Sequence, residues 1–282
     1  MGSGGTTRRG STARRGVSSK VPVDTRIVRQ VVGAHHFEVA LSGVIPALVA
    51  MWLVDRLDAK RPEPARTRRL VVLAGMLSVI PALVIEVGLS SLVGARLEPQ
   101  LTYQGASFQA FVVAAAVEEA CKIAVVYWVV WRRPEFDERM DGIVYASRAG
   151  LGFALVENVM YLLGQHSLSG QLVVWVERAL LAVPGHAMWT GMIGAVAARR
   201  RFDRRGFGLI GGYLLAVAFH GAYDASVFVQ QPLRLEGHAG LAALVMLGPV
   251  VLTIAAFLTV RALARTALRL DDVDAAHHAT RA

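Results

Sequence analysis

Cysteine is nearly absent from this 282-residue chain, and charge is scarce. A single cysteine, Cys121, excludes an internal disulfide framework and a zinc finger. Charged residues make up 18% and hydrophobic residues 54%, whereas an ordinary soluble domain carries roughly 25% charged residues. So few charges cannot cover so much apolar mass in a water-soluble globule. The same numbers exclude disorder, collagen and coiled coil as the global class. There is no HExxH, so the geometry of the soluble metalloproteases is missing. There is no GxSxG, so a serine nucleophile elbow is missing too. Strands alternating with amphipathic helices do not occur. Nor do two similar halves, which weakens a transporter reading.

What is present is a series of apolar runs about 20 residues long, enough for a helix to cross a bilayer. They lie near Phe37–Val54, Leu70–Val93, Phe108–Trp131, Gly142–Gly164, Leu172–Ala198, Phe207–Val229 and Gly240–Val260. The sequence therefore predicts an all-α, polytopic membrane bundle of about seven transmembrane helices. Residues 1–34 read as a disordered basic tail, 35–264 as the transmembrane domain and 265–282 as a cytoplasmic tail. Lys and Arg set the orientation. Eighteen fall in Asp55–Arg69, Arg132–Asp141, Arg199–Gly206 and the tail from Arg261; the alternate loops hold only Arg96 and Arg234. The first set is assigned to the cytoplasm. The net charge of +9 thus reflects topology and needs no nucleic-acid partner. An odd span count puts the N-terminus outside, in conflict with the seven basic residues of Met1–Gln30. Arg8-Arg9 lacks the nearby apolar run of a twin-arginine signal. The GxGxxG at Gly206–Gly211 follows a basic loop and is a chance match.

A charge near the bilayer centre costs at least about 2.5–3.5 kcal/mol, so ionisable residues inside spans are the functional signal. In the third span Glu118 and Lys122 are four apart and can pair, while Glu119 points about 100° away. Either glutamate could act as general base; a purely structural ion pair is the alternative. The fourth span places Glu157 with Phe153 and Tyr161 on one face, with Arg178 as a partner for Glu157 and Asn158 as a helix-bridging group. The fifth holds Glu177, Arg178 and His186, with Pro184-Gly185 predicting a kink beside the histidine. Glu177 and Arg178 are placed nearer the outer surface. In the sixth, His220 and Asp224 are four apart, so Asp224 can orient the imidazole. Gly150 and Gly152 allow a close helix neighbour. At roughly 1.5 Å rise per residue, Glu119, Glu157, His186 and His220 fall near one plane.

Two histidines and a glutamate can bind zinc and leave a position for water, with His186, His220 and Glu157 as ligands. The same residues can also act without metal, through glutamate-activated water and an imidazole-stabilised oxyanion. A proton- or cation-coupled transporter and a non-catalytic scaffold held by interhelical charges are the alternatives to a hydrolase. Cys121 beside the paired glutamates is disfavoured as a nucleophile.

Glu118-Glu119-x-x-Lys122 resembles the EExxK motif of the PrsW family of membrane proteases. Phe153-x-x-x-Glu157-Asn158 with Tyr161 resembles its second block. His186-Ala187-Met188-Trp189-Thr190 and His220-Gly221-Ala222-Tyr223-Asp224 resemble the third and fourth, and the stretch Asp55–Glu86 resembles the family's opening. Through these motifs the chain is also similar to the CAAX-processing and bacteriocin-processing membrane proteases. The resemblance implies an intramembrane protease in a bacterial plasma membrane, acting on a membrane protein or peptide of the anti-sigma-factor class. It implies Glu118, Glu119, His186 and His220 as the catalytic set, with Lys122, Glu157, Asn158 and Asp224 in support and zinc as the metal. Asp224 departs from the Asn that often ends the last block, and an ionised Asp cannot donate to an oxyanion.

Overall fold

The computed structural model describes Met1 and residues 35–280, so the expected N-terminal tail lies almost wholly outside the described residues. Among the described residues there are seven helical columns and no strand. They are α1 (His35–Leu57), α2 (Ala65–Leu77 continued by Val79–Leu97), α3 (residues 103–129), α4 (Arg139–Leu163), α5 (Leu168–Asp203), α6 (Gly208–Leu235) and α7 (Ala239–Ala279). Five of these, α1, α2, α5, α6 and α7, are long and apolar enough to cross a membrane. The other two, α3 and α4, carry the Glu118–Glu119–Lys122 set and the Arg148 and Glu157 charges. Their deficit of hydropathy is the functional signal itself.

Local chemistry sets the helix limits. Pro64 precedes the first turn of α2. The Thr102 and Ser167 hydroxyls accept the backbone N–H groups of Gly105 and Gly170 and cap α3 and α5. The Asp141 carboxylate accepts the Glu138 N–H at the start of α4. Arg204 in the left-handed region ends α5.

Helix α4 is the axis of the bundle. From Met140 to Ala154 every residue is buried. Two of its glycines do what the sequence predicts. A Cβ at Gly150 would lie 2.4 Å from the His186 carbonyl oxygen on α5, and one at Gly152 would lie 2.3 Å from the Val72 carbonyl oxygen on α2. The backbones of three helices therefore meet directly, and the close contact on the α5 side falls on a candidate catalytic histidine. Outward-facing Ile80, Val84, Val173, Leu180, Ile210, Leu214, Val251 and Ile254 remain exposed, as a lipid-facing surface requires.

The four basic segments meet at one end, as the orientation argument demands. Arg61 pairs with Glu138 at 2.6 Å and Asp272 at 2.9 Å, and Arg139 pairs with Asp203, Asp271 and Asp274. At the opposite end the Tyr103 hydroxyl donates to Glu236. The residues expected as a cytoplasmic tail carry α7 on to Ala279, and their aspartates dock against α4. The disruption expected at Pro184 takes a different form. A π turn at Arg178–Ala182 widens α5 just before the proline, which then sits in the first turn of the regular segment Val183–Asp203.

Gly150→Val is expected to overpack the α4–α5 contact, at a cost of about 1–3 kcal/mol. A thermal melt of the detergent-solubilised chain should then show a Tm lower by about 3–10 °C.

Candidate active site

The third span reaches the site through a second π segment, Gln109–Ala116, which ends two residues before Glu118. Tyr213 of α6 donates its hydroxyl to the Ala116 carbonyl at 2.8 Å, so the irregular backbone stays satisfied. After it, Glu118, Glu119 and Lys122 all point inward and are buried.

Lys122 lies at the centre. Its ammonium, with the side chain 0% exposed, donates to Glu118 at 2.8 Å, Glu119 at 2.9 Å and His186 Nδ1 at 2.8 Å. It also lies 4.2 Å above the Phe153 ring. The helical wheel points Glu119 about 100° away from the Glu118–Lys122 pair, yet the lysine reaches it as well. Spacings of three and four both let a lysine reach back along one helix, and this lysine takes both carboxylates.

The two glutamates then part company. Glu119 spends Oε1 on Lys122 and on His220 Nδ1 at 3.0 Å, and Oε2 on the Thr190 hydroxyl at 2.8 Å. Glu118 uses Oε2 for Lys122. Its Oε1 carries no hydrogen bond among the described residues, and the residue lines a cavity of about 180 Å³. That volume holds several waters at roughly 30 Å³ each.

Both histidines line the same cavity. His186 Nε2 lies 2.8 Å from Glu157 and its Nδ1 faces Lys122. These partners assign the proton to Nε2. His220 gives its Nδ1–H to Glu119, and its Nε2 lies 3.4 Å from Asp224 and 3.9 Å from Glu118. The rings meet edge to face at 5.3 Å, and Trp189 stacks on His220 at 4.1 Å. One carboxylate and two imidazoles, those of Glu118, His186 and His220, place ligand atoms within 4.8 Å of one another.

The sequence-derived residues are therefore brought together, with some reassignment. Glu157, expected as a third metal ligand or as the partner of Arg178, pairs with Arg178 at 2.6 Å. Arg178, expected near the outer surface, is buried against the cavity, where it also donates to Asn158 at 2.8 Å. Asn158 in turn donates to the Gly43 carbonyl of α1, the helix-bridging role expected of it. Glu177 is not among the cavity-lining residues. Sequence reasoning passed over Glu86, which lines the cavity from α2 with one oxygen unpartnered among the described residues. The cost of a carboxylate inside Leu70–Val93 was the available signal.

Removing Lys122 leaves two buried carboxylates without a counter-charge, a loss of about 3–5 kcal/mol by analogy with broken buried pairs. Lys122→Met should accordingly lower the Tm more than any other single substitution in the site, as read by thermal unfolding in detergent.

Comparison with known proteins bears on what such a site does. The family model described as PrsW family intramembrane metalloprotease matches residues 63–260. The chain is 33% identical over 190 residues to Protease PrsW of Geobacillus kaustophilus, covering 67% of this chain and 79% of that one. It is 28% identical over 196 residues to Protease PrsW of Clostridioides difficile, with the same two coverages. For Protease PrsW of Bacillus subtilis the identity is 28% over 191 residues, covering 67% and 82%. No solved structure matches the chain significantly.

Proposed function

This chain belongs to the PrsW family of intramembrane metalloproteases, and from that membership we propose which of its residues carry out the hydrolysis. It is a membrane-embedded protease, and its substrates are membrane proteins. The comparisons give no support to a transporter.

The unequal engagement of the two adjacent glutamates carries the assignment. Glu118 Oε1 is the carboxylate oxygen left for a cavity water, so Glu118 is the general base. It takes a proton as the water oxygen bonds to the scissile carbonyl carbon. When the C–N bond breaks, the same oxygen returns the proton to the leaving amine. Lys122 on Oε2 fixes the carboxylate and compensates its charge. Glu119 is a positioning residue: it holds the His220 Nδ1–H, which turns the Nε2 lone pair toward Glu118 and Asp224. Glu157 does the same for His186 from the opposite ring nitrogen.

The family implies a metal, and the donor chemistry here fits one. A single oxygen, Glu118 Oε2, lies 3.9 Å from His186 Nδ1 and 3.9 Å from His220 Nε2. We assign His186 and His220 as the residues that would hold zinc, Glu118 remaining the base beside them and Glu157 supporting His186 rather than binding the metal. Zinc held there would polarise the scissile carbonyl and acidify water. Substrates of the anti-sigma-factor class, single-span proteins with a cleavable membrane-proximal segment, are the class we favour.

With a single-span substrate co-reconstituted in liposomes, Glu118→Gln should lower the cleavage rate by about 10²–10⁴-fold while leaving the Tm nearly unchanged. Glu119→Gln should lower both, because it disturbs the contacts to His220 and Thr190 that Glu118 does not make. Cleavage at the parental rate by Glu118→Gln would refute Glu118 as base. In a separate measurement, zinc content by atomic absorption should fall from about one per chain to near zero in the His186→Ala/His220→Ala double variant.

A further inference from the structure

A second group of buried acids lies at the basic end of the bundle, outside the active site. Asp58 follows the last turn of α1, Glu63 lies in the α1–α2 turn between Pro62 and Pro64, and Asp141 lies in the first turn of α4. All three are buried, and one carboxylate oxygen from each lies within 4.8 Å of the others. Three carboxylates this close repel one another unless something positive lies between them.

Their neighbours show how this end of the molecule normally meets that need. Asp55 is held by Arg148 and Arg68, Glu138 by Arg61, and Asp203 and Asp271 by Arg139. Among the described residues Asp58, Glu63 and Asp141 have no such cation. Glu63 accepts the Tyr145 hydroxyl, and Asp141 Oδ2 accepts the backbone N–H groups of Asp137 and Glu138. Asp141 Oδ1 has no partner there. Asp58 is the most telling. Its residue is 2% exposed, it points into the cluster, and neither of its oxygens has a hydrogen-bond partner among the described residues. A carboxylate buried in this way costs several kcal/mol. Burial, and next the Glu63 and Glu138 carboxylates, push Asp58 up to about 7 against the opposing pull of Arg61.

We propose that Asp58, Glu63 and Asp141 form a binding site for a hard divalent cation, separate from the catalytic centre. The donor set is all oxygen and carries up to three negative charges, the chemistry that selects Mg²⁺, Ca²⁺ or Mn²⁺ over zinc. A surface cleft of about 380 Å³ lined by Arg61, Glu63 and Glu138 reaches the cluster at Glu63. The ion would tie the α1–α2 turn to the start of α4, and so fix α2, which brings Glu86 to the active-site cavity, against α4, which brings Glu157.

The test uses the full chain in detergent, stripped with EDTA, in the His186→Ala/His220→Ala background so that the catalytic imidazoles contribute nothing. Mn²⁺ followed by electron paramagnetic resonance should bind at about one per chain, and saturating Mg²⁺ or Ca²⁺ should raise the Tm by on the order of 5 °C. Asp58→Asn and Glu63→Gln should each weaken Mn²⁺ binding by at least about tenfold and abolish the Tm rise. These isosteric changes remove charge from a crowded cluster, so the variants should fold. Absence of Mn²⁺ binding up to millimolar concentration would overturn the proposal and leave protons as what neutralises the cluster. So would a stoichiometry and affinity unchanged in both variants. The catalytic zinc content of the parent chain is an independent reading, so either assignment can fail alone.

Discussion

A single buried ammonium makes the proposed active site possible inside a membrane. Two adjacent carboxylates and two imidazoles cannot be stacked in a low-dielectric core without a counter-charge. Lys122 supplies it from the same helix, contacting Glu118, Glu119 and His186 at once. Because those contacts are made within one turn of α3 and across to α5, the lysine also sets the register between the two helices. Thr190 and His220 then complete Glu119 from α5 and α6. The shortage of charge elsewhere in the chain and its concentration here are two sides of one economy: polar groups are spent where helices can satisfy them mutually.

Much of this was legible in the sequence because the membrane makes polarity conspicuous. The seven helical columns, the shared end of the basic segments, the roles of Gly150 and Gly152, and the convergence of Glu118, Glu119, His186 and His220 all follow from counting apolar residues and noting what interrupts them. The division of labour between the two glutamates was not legible. A helical wheel separates Glu119 from Lys122 by direction, but the lysine stem is long enough to bend to both, and only the positions of Thr190 and His220 show that Glu119 is fully occupied. Glu157 has its expected partner Arg178, but its contact with His186 was illegible for a related reason. Its two partners, Arg178 and His186, lie on another helix, and their π-widened approach is invisible to a regular 3.6-residue period.

The basic end shows the limit of charge counting. Positive residues there fix orientation, and the structure reveals that they are also structural cement, with Arg61 and Arg139 joining four segments of the chain. Counting cannot tell which acids those arginines reach, and Asp58, Glu63 and Asp141 stand apart only in three dimensions.

The walls of the proposed catalytic cavity have a consequence for what can be cut. A helix is about 10 Å across, whereas the cavity beside Glu118 and the two imidazoles is lined by side chains of five helices, α2 to α6. An intact transmembrane helix also hides each carbonyl in its own hydrogen-bond ladder. The scissile stretch must therefore reach this chamber as a single unwound strand, so ease of unravelling, set by glycine, proline and β-branched content around the bond, becomes a selection rule in its own right.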